Sequence, residues 1–495
     1  MSLPDLIEIA PLEKPVHAGI AVPGSKSITN RALVLAALAD GETTLRGALW
    51  SEDTRVMVDG LLKLGFVVKV EPDPDEVCNR AITVQGLGGK IPNAGTLDKP
   101  LELFVGNAGT AARFLATLVC LGHGIYRLDG VKRMRERPQE ALFDALRELG
   151  YCIDSANSKL PALVHGGGPK PGAICCVSIA ESSQFASALL ICAKAGGWHV
   201  TVVGDNAEES PYVAMTSKLI EAFPNRGGGF QIEPDASSGS YFWAAVPPLP
   251  SGERQEICED LPDAGVDFTT RMNSAFAVRV LNWPHPSDWQ IDARFPEYVV
   301  LVAPVNLYSA LEIAEAERRL AQMWGPKWRE RFEDGSRKNS ERVEAERDAV
   351  RVSRNTDLGD SIMTLIVLAP LAHHKIMFAD LGRLRLQECE RVVALRTELS
   401  KCGAKVIEEG DTLTVYPSKL HGAEIETYND HRMAMCFAIL GLKVPGIKIK
   451  NPACVKKTFP NFFQKLADPP PHGLGATILD AKTGRALTRD ELFAE

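Results

Sequence analysis

Short strand-like runs alternate with helical patterns along almost the whole chain, and each strand-to-helix junction is built from Gly, Ser, Asn or Thr. Ile20 to Val22 precedes a helical pattern at about Ile28–Leu38. Leu101 to Val105 precedes one at about Ala111–Leu121, and Ala173 to Ile179 precedes one at about Phe185–Ala195. This rhythm predicts an α/β protein. The chain of 495 residues is too long for a single core. Two or three domains of about 100–200 residues are expected.

The net charge of −8 argues against a general nucleic-acid binder, so basic residues gathered at one place would be a local feature. Eleven cysteines are scattered without a CxxC pair or a Cys/His cluster at zinc-ligand spacing, and Cys175 and Cys176 are adjacent. Free, mostly buried thiols in a reducing compartment are expected, with no metal. Met1 to Pro15 carries Asp5, Glu8 and Glu13 and lacks the apolar run of a targeting peptide. The longest apolar runs, such as Leu365 to Ala372, fall far short of the about 18 residues of a membrane span. A cytoplasmic protein with no membrane partner is expected. Residues 303–352 are dominated by Glu, Arg, Lys and Ala, and read as one or two solvated inserted helices with a break near Gly325-Pro326. After Asp468 the run PPPHGLG reads as the start of a partly ordered tail.

Three junctions are suited to anions. In AVPGSKSITNRALVLAAL, Pro23-Gly24 makes a turn and Ser25, Lys26 and Ser27 open a helix. Its free N–H groups and positive dipole end suit a phosphate or carboxylate. Lys26 adds a full charge, and Arg31 lies one turn on. One residue too many separates Gly24 from Lys26 for a P-loop, which rejects an ATPase of that kind. Alone, a plain helix cap with a surface lysine explains this stretch equally well. In LFVGNAGTAARFLATL, Gly106, Asn107, Gly109 and Thr110 lead into an apolar helix, and Gly109 permits close approach of a ligand. An ordinary N-cap is the equal alternative there. Arg133, Arg135 and Arg137 before Pro138 read as a loop with side chains suited to carboxylate or phosphate. In ESSQFASALLICA, Ser182, Ser183 and Gln184 offer hydroxyl and amide donors. Three such junctions, two with Lys or Arg beside them, point to a small polyanionic ligand. The second half adds Asp357 and Asp360, Glu388 and Arg391, Asp430, His431 and Arg432, then Lys456 and Lys457. His431, at a helix start between an acid and a base, has either a structural role or one in proton transfer or substrate binding.

The strings PGSKSITNRAL, GNAGTAARFL, RERP, ESSQFASALL, SPYV, DASSGSYF, DSIMT, ECERV, NDHRMAMCF and KKTFP occur in this order. On them the chain resembles the 5-enolpyruvylshikimate-3-phosphate synthase family, over residues 20 to 465 except the insertion. NDHRMAM and PGSKS…NRAL are the most specific pieces. The resemblance implies a two-domain inside-out α/β barrel with central helices, each domain built of three βαβαββ units. Residues 1–20 with 234–495 would form one domain and 21–233 the other, with the active site in a cleft that closes and expels water. It implies an enzyme that moves the enolpyruvyl group of phosphoenolpyruvate to the 5-hydroxyl of shikimate 3-phosphate. Phosphate is released by addition and elimination, without a cofactor, in a monomer. Phosphoenolpyruvate would be held by Lys26, Gly109, Arg137, Gln184, Arg391, Arg432 and Lys457. The acceptor would be held by Lys26, Ser27, Arg31, Ser182, Ser183, Gln184, Tyr212 and Asp360, with Arg383 and Gln387 at two altered positions. Lys26, Asp360 and Glu388 are the implied acids and bases, with His431 assisting, and Asp235 is a structural or hinge residue.

The departures matter as much. The family's Asn-x-Arg-x-Lys-Glu-x-Asp-Arg here reads Arg383-Leu-Arg385-Leu-Gln387-Glu388-Cys-Glu390-Arg391. A lysine that serves the acceptor's phosphate has become Gln387, and Arg383 stands where it could restore the charge. Glu209 occupies a position where the family often has a phosphate-binding serine, with Ser210 next to it, and Phe114 replaces a common proline. Two other readings stay open. One is an enolpyruvyl transferase with a different acceptor; the other is an inactive ligand-binding relative. The reactive cysteine loop of the related UDP-N-acetylglucosamine enzyme is not evident, since Cys120 falls in an apolar helical pattern.

Overall fold

Six helices carry buried residues around most of their circumference, a pattern that places a helix inside a protein rather than on its surface. A computed structural model describes residues 3–14, 16–204, 210–246, 277–284, 287, 289–302 and 349–494. Lys26–Leu38, Gly109–Leu118 and Ser183–Gly196 pack on one another in one lobe. Ala236–Ala245, Ile362–Leu368 and His431–Gly441 do the same in the other. Every residue of Gly109–Leu118, Ala236–Ala245 and Ile362–Leu368 is buried. Sheets lie outside these helices, which is the inside-out arrangement.

Four four-stranded sheets repeat one topology, a parallel pair followed by two antiparallel neighbours. Leu101–Phe104 runs parallel to His123–Asp129, which pairs antiparallel with Ala162–Gly167, itself antiparallel to Cys152–Asp154. Val350–Ser353, Ile376–Ala379, Thr412–Val415 and Val406–Glu409 repeat the order in the second lobe. Where the two parallel strands are consecutive, as in Leu101–Phe104 with His123–Asp129 and Val350–Ser353 with Ile376–Ala379, the helix between them is a central one.

The buried apolar side chains form two clusters, one drawn from residues 28–232 and the other from residues 3–22 with 236–494. The chain passes between them at two strands of backbone that hold each other. Gly24 and Pro234 form a bridge, Ser25 N–H donates to the Glu233 carbonyl at 2.8 Å, and Asp235 N–H donates to the Pro23 carbonyl at 2.8 Å. The Asp235 carboxylate accepts from Ser238 N–H at 2.7 Å, capping Ala236–Ala245, and from Lys26 N–H at 3.2 Å.

Three expectations need correction. Arg133 to Arg137 is not a loop: Lys132–Glu136 is a short helix, because its carbonyls find local partners before Pro138 interrupts the chain. The tail after Asp468 is ordered. Ile478–Asp480 pairs with Leu6–Ile9, covering a strand edge, and Arg489 pairs with Asp468 at 2.7 Å. The charged insertion does not extend to 352, since Val350–Ser353 is a sheet strand; residues 303–348 lie outside the described residues. The ten cysteines among the described residues are all free, and seven are buried.

At the crossing, Gly24 has no room for a side chain, because a Cβ there would lie 1.9 Å from the Gly47 carbonyl oxygen. Gly24→Ala is expected to destabilise the protein by about 1–3 kcal/mol through forced backbone displacement. Urea unfolding with an unchanged midpoint would contradict this.

Candidate active site

All six central helices begin at one cleft between the lobes. Their N-termini bring Lys26 and Ser27, Thr110, Ser183, Asp235, Asp360, and Asp430 with Arg432 to neighbouring walls. In the second lobe acids occupy these positive ends: Asp430 caps its helix by accepting from Arg432 N–H at 2.9 Å. Asp292 accepts from Gly359 N–H and Ser361 N–H at 2.7 and 3.1 Å. In the first lobe the helix at Gly109 has no acid in the first turn and no side-chain cap, so its field reaches the cleft uncancelled, while at the helix starting with Lys26 the Asp235 carboxylate accepts from Lys26 N–H.

Eight Lys and Arg side chains line the main part of the cleft against three acids, Glu181, Asp360 and Glu388. That excess makes the empty cleft an anion site. It encloses about 860 Å³ of atom-free space continuous with solvent.

At one end Glu388 binds two cations. Its Oε1 accepts from Lys457 Nζ at 2.9 Å and its Oε2 pairs with Arg391 Nη2 at 2.8 Å. Arg391, 1% exposed, is fixed on its other edge by Asp430 at 2.7 Å and by the side-chain oxygen of Gln387. Lys457 Nζ also donates to the Asn107 carbonyl at 3.4 Å, so it spans the two lobes. Burial alone would raise the Glu388 pKa, yet Lys457, Arg391, Arg137 and Lys26 together hold it well below the usual range. Arg137 is buried next to this group with Nε and Nη1 unpartnered. Burial lowers its pKa, and an anion would supply the bonds it lacks. Gly109 makes room for it, since a Cβ there would lie 2.7 Å from its Nη1 and 2.5 Å from Arg113 Nη1.

At the other end Asp360 binds Arg354 at 2.6 Å and Arg432 at 3.1 Å. Burial raises its pKa, but Arg432, Arg354 and Arg391 more than reverse that and keep it an anion. Tyr212, Ser182, Ser183 and Arg383 line the same part. Lys26, from the first junction, pairs with Asp53 at 3.2 Å. His431 lies on the cleft wall, 1% exposed, with neither ring nitrogen hydrogen-bonded. Burial first, and then Lys26, push its pKa well below the ordinary histidine value, so it is a neutral imidazole.

Several sequence expectations shift in detail. Of the three arginines before Pro138, Arg137 alone lines the cleft. Arg135 pairs with Asp129 at 2.8 Å, and Arg133 donates to the Gln387 carbonyl at 2.9 Å. Arg31 lines the cleft but spends its donors on Thr216, Ser187 and the Ser27 and Tyr212 carbonyls, and stacks 5.5 Å over the Phe114 ring. Gln184 bonds Thr110 through Nε2 at 3.2 Å while its Oε1 is unpartnered. Ser27, Gln387 and Arg432 also line the cleft. Glu209 lies outside the described residues; Ser210 is buried with an unpartnered hydroxyl. Sequence reasoning missed Asp53, Arg113 and Arg354. Arg113 did carry a signal, a lone charge within an apolar helix.

The profile of EPSP synthase (3-phosphoshikimate 1-carboxyvinyltransferase) matches residues 12–248 and 329–466. The chain belongs to the EPSP synthase family. It is an enolpyruvyl transferase by that membership. It is 34% identical to a 3-phosphoshikimate 1-carboxyvinyltransferase of Trichormus variabilis, covering 93% of this chain and 98% of that one. It is also 34% identical to a chloroplastic one of Nicotiana tabacum, covering 94% and 84%. An EPSP synthase of Acinetobacter baumannii shares the fold at a TM-score of 0.57 and 19% identity, over 96% and 99% of the two chains. The enolpyruvyl transferase NikO of Streptomyces tendae shares it at 0.58 and 15%, over 99% and 100%. The fold is therefore common to more than one enolpyruvyl transferase of the family's kind, and the cleft residues must decide the acceptor. Among the described residues no helix is long and apolar enough to cross a membrane.

Glu388 and Asp360 have folded pKa values below their unfolded ones of about 4.3 and 3.9. Their stabilisation is complete above the unfolded values and is lost as pH falls through the folded ones. Glu388→Gln is expected to lower the melting temperature near neutral pH, because Lys457, Arg391 and Arg137 then repel one another, and to flatten the decline below about pH 4.5. Calorimetry across that range checks it; parallel curves for parent and variant would contradict it.

Proposed function

We propose that this chain transfers the enolpyruvyl group of phosphoenolpyruvate to the 5-hydroxyl of shikimate 3-phosphate and releases inorganic phosphate. The observation that carries this reading is the buried Arg137 guanidinium with two unpartnered nitrogens, beside Lys457, Arg391 and Glu388. A carboxylate and a phosphate on one small molecule would satisfy that group, with Arg432, Gln184 and the Gly109 backbone completing the binding wall.

In the addition step the acceptor hydroxyl loses its proton to a base, Asp360 in this reading, as its oxygen bonds to C2 of phosphoenolpyruvate and C3 takes a proton, giving a tetrahedral intermediate. In the elimination step the bond from C2 to the phosphate oxygen breaks and C3 loses a proton, which restores the double bond. In this reading Lys26 and Asp360 serve the hydroxyl, and Glu388 serves the methylene carbon. With its pKa held well below the usual carboxylate range, Glu388 by itself is a poor proton donor. Binding of phosphoenolpyruvate draws Lys457, Arg391 and Arg137 onto the substrate and adds negative charge nearby, so the Glu388 pKa rises toward the range of a proton donor. His431, neutral and unbonded, presents a dipole to the reacting centre without adding charge. Residues 1–20 with 234–495 and residues 21–233 act as the two closing bodies, and the Lys457 to Asn107 contact joins them.

A relative of the UDP-N-acetylglucosamine type fits less well, because Cys120 is buried and burial pushes its thiol well up.

Phosphate release by the purified protein is expected only when both substrates are present. Arg137→Gln should raise the KM for phosphoenolpyruvate about 10–100-fold, the loss of one or two charge-assisted bonds. Binding without release in the parent would leave an inactive relative; release with another acceptor alone would overturn the assignment of shikimate 3-phosphate.

A further inference from the structure

One sheet of the first lobe carries metal-ligating side chains on the face turned away from the core. In Cys152–Asp154 the middle residue, Ile153, is buried and its two neighbours are exposed, so Cys152 and Asp154 share the outer face. The strand pairs antiparallel with Ala162–Gly167, and the register sets Cys152 opposite His165. No local spacing brings His165 to Cys152; the strand pairing does. Asp154 Oδ2 lies 2.8 Å from His165 Nε2, and Cys152 Sγ donates to Asp154 Oδ1 at 3.6 Å. One ligand atom from each of the three lies within 4.8 Å of the other two, and no other group of three such side chains comes as close among the described residues. Tetrahedral zinc, with bonds of about 2.3 Å to sulfur and about 2.0–2.2 Å to nitrogen and oxygen, holds its ligand atoms about 3.3–3.6 Å apart. The sulfur-to-oxygen spacing already matches, and the imidazole has to withdraw from the carboxylate by about half an ångström. The side chains of Asp154 and His165 are 58% and 28% exposed, so an ion can enter with water as its fourth ligand. The neighbouring Arg147 does not fill the place, since it pairs with Asp144 at 2.8 Å and donates to the Ile153 carbonyl at 2.9 Å.

We propose that Cys152, Asp154 and His165 form a zinc(II) site on the outer face of the first lobe. A thiolate, an imidazole and one carboxylate oxygen suit zinc over magnesium or calcium, which take oxygen ligands. Binding forms bonds from zinc to Sγ, Nε2 and a carboxylate oxygen. The thiol proton leaves to water, and the neutral imidazole keeps its proton on Nδ1. The ion acts as a clip. Cys152–Asp154 is a strand of three residues at the edge of its sheet, with Ala162–Gly167 as its strand neighbour. Zinc joins the two strands through their side chains, and by binding the folded chain in preference to the unfolded one it stabilises the fold. None of the three residues lines the cleft, so the site is independent of the transferase reading.

Calorimetric titration of zinc(II) into the reduced, chelator-stripped full chain tests this. One equivalent should bind with micromolar or tighter affinity, and the melting temperature should rise with zinc. Cobalt(II) in its place should give the near-ultraviolet charge-transfer absorption of a thiolate ligand. Cys152→Ser should abolish that absorption and weaken zinc at least tenfold. His165→Gln and Asp154→Asn should weaken it similarly, because losing even an outer-shell partner costs about 10–100-fold. Cys176→Ser, at an exposed thiol outside the group, should leave affinity and absorption unchanged. Far-ultraviolet circular dichroism identical to the parent's shows that each variant is folded. No zinc binding at micromolar concentrations, binding that survives Cys152→Ser, or an equal rise in melting temperature with calcium would overturn the site.

Discussion

A buried carboxylate between two buried cations, Glu388 between Lys457 and Arg391, is the contact on which this molecule depends. Removing such ions from water costs about several kcal/mol for each of them, and one carboxylate does not neutralise the cluster. Asp430 secures Arg391 from behind and caps the helix that carries His431 and Arg432, so a single acid fixes both a cation and a helix start. Arg137 is left incomplete. The protein holds its site in a state that only an incoming anion resolves.

The fold provides that state through repetition. Four of the six central helices, those at Gly109, Ser183, Ile362 and His431, join consecutive parallel strands, and all six begin at the same cleft. The dipole of the helix at Gly109 reinforces the side-chain charges, while Asp235, Asp292 and Asp430 mask those of the helices starting at Lys26, Ile362 and His431. The crossing strands at Gly24 and Pro234 tie the lobes at one edge, while Lys457 and Arg133 reach across at the cleft. A ligand that competes for Lys457 therefore acts on the contact between the lobes as well as on the charge of Glu388.

Much of this was legible in the chain. The strand-to-helix rhythm located the helices at Lys26–Leu38, Gly109–Leu118 and Ser183–Gly196, because local apolar pattern and small junction residues act within a few residues of one another. The motifs singled out Arg137, Arg391, Arg432 and Lys457, and the structure gathers them with Glu388 and Asp360. Long-range partners were not legible. Asp53 beneath Lys26, and Asp292 beneath Ser361, follow from tertiary packing that no spacing encodes. Arg354 carries no signal of its own in the sequence, and its burial next to Asp360 comes from the tertiary fold. The ordered tail was missed for the same reason, since its strand pairs with residues at the far end of the chain.

The account's central claim is that distant cations converge on one small anion carrying both a carboxylate and a phosphate. A crystal structure with phosphoenolpyruvate and shikimate 3-phosphate bound tests it most directly. The account predicts phosphoenolpyruvate within hydrogen-bond distance of Arg137, Arg391, Arg432 and Lys457, with the Lys457 to Glu388 bond lengthened. Phosphoenolpyruvate bound elsewhere, with Arg137 still unpartnered, would contradict it.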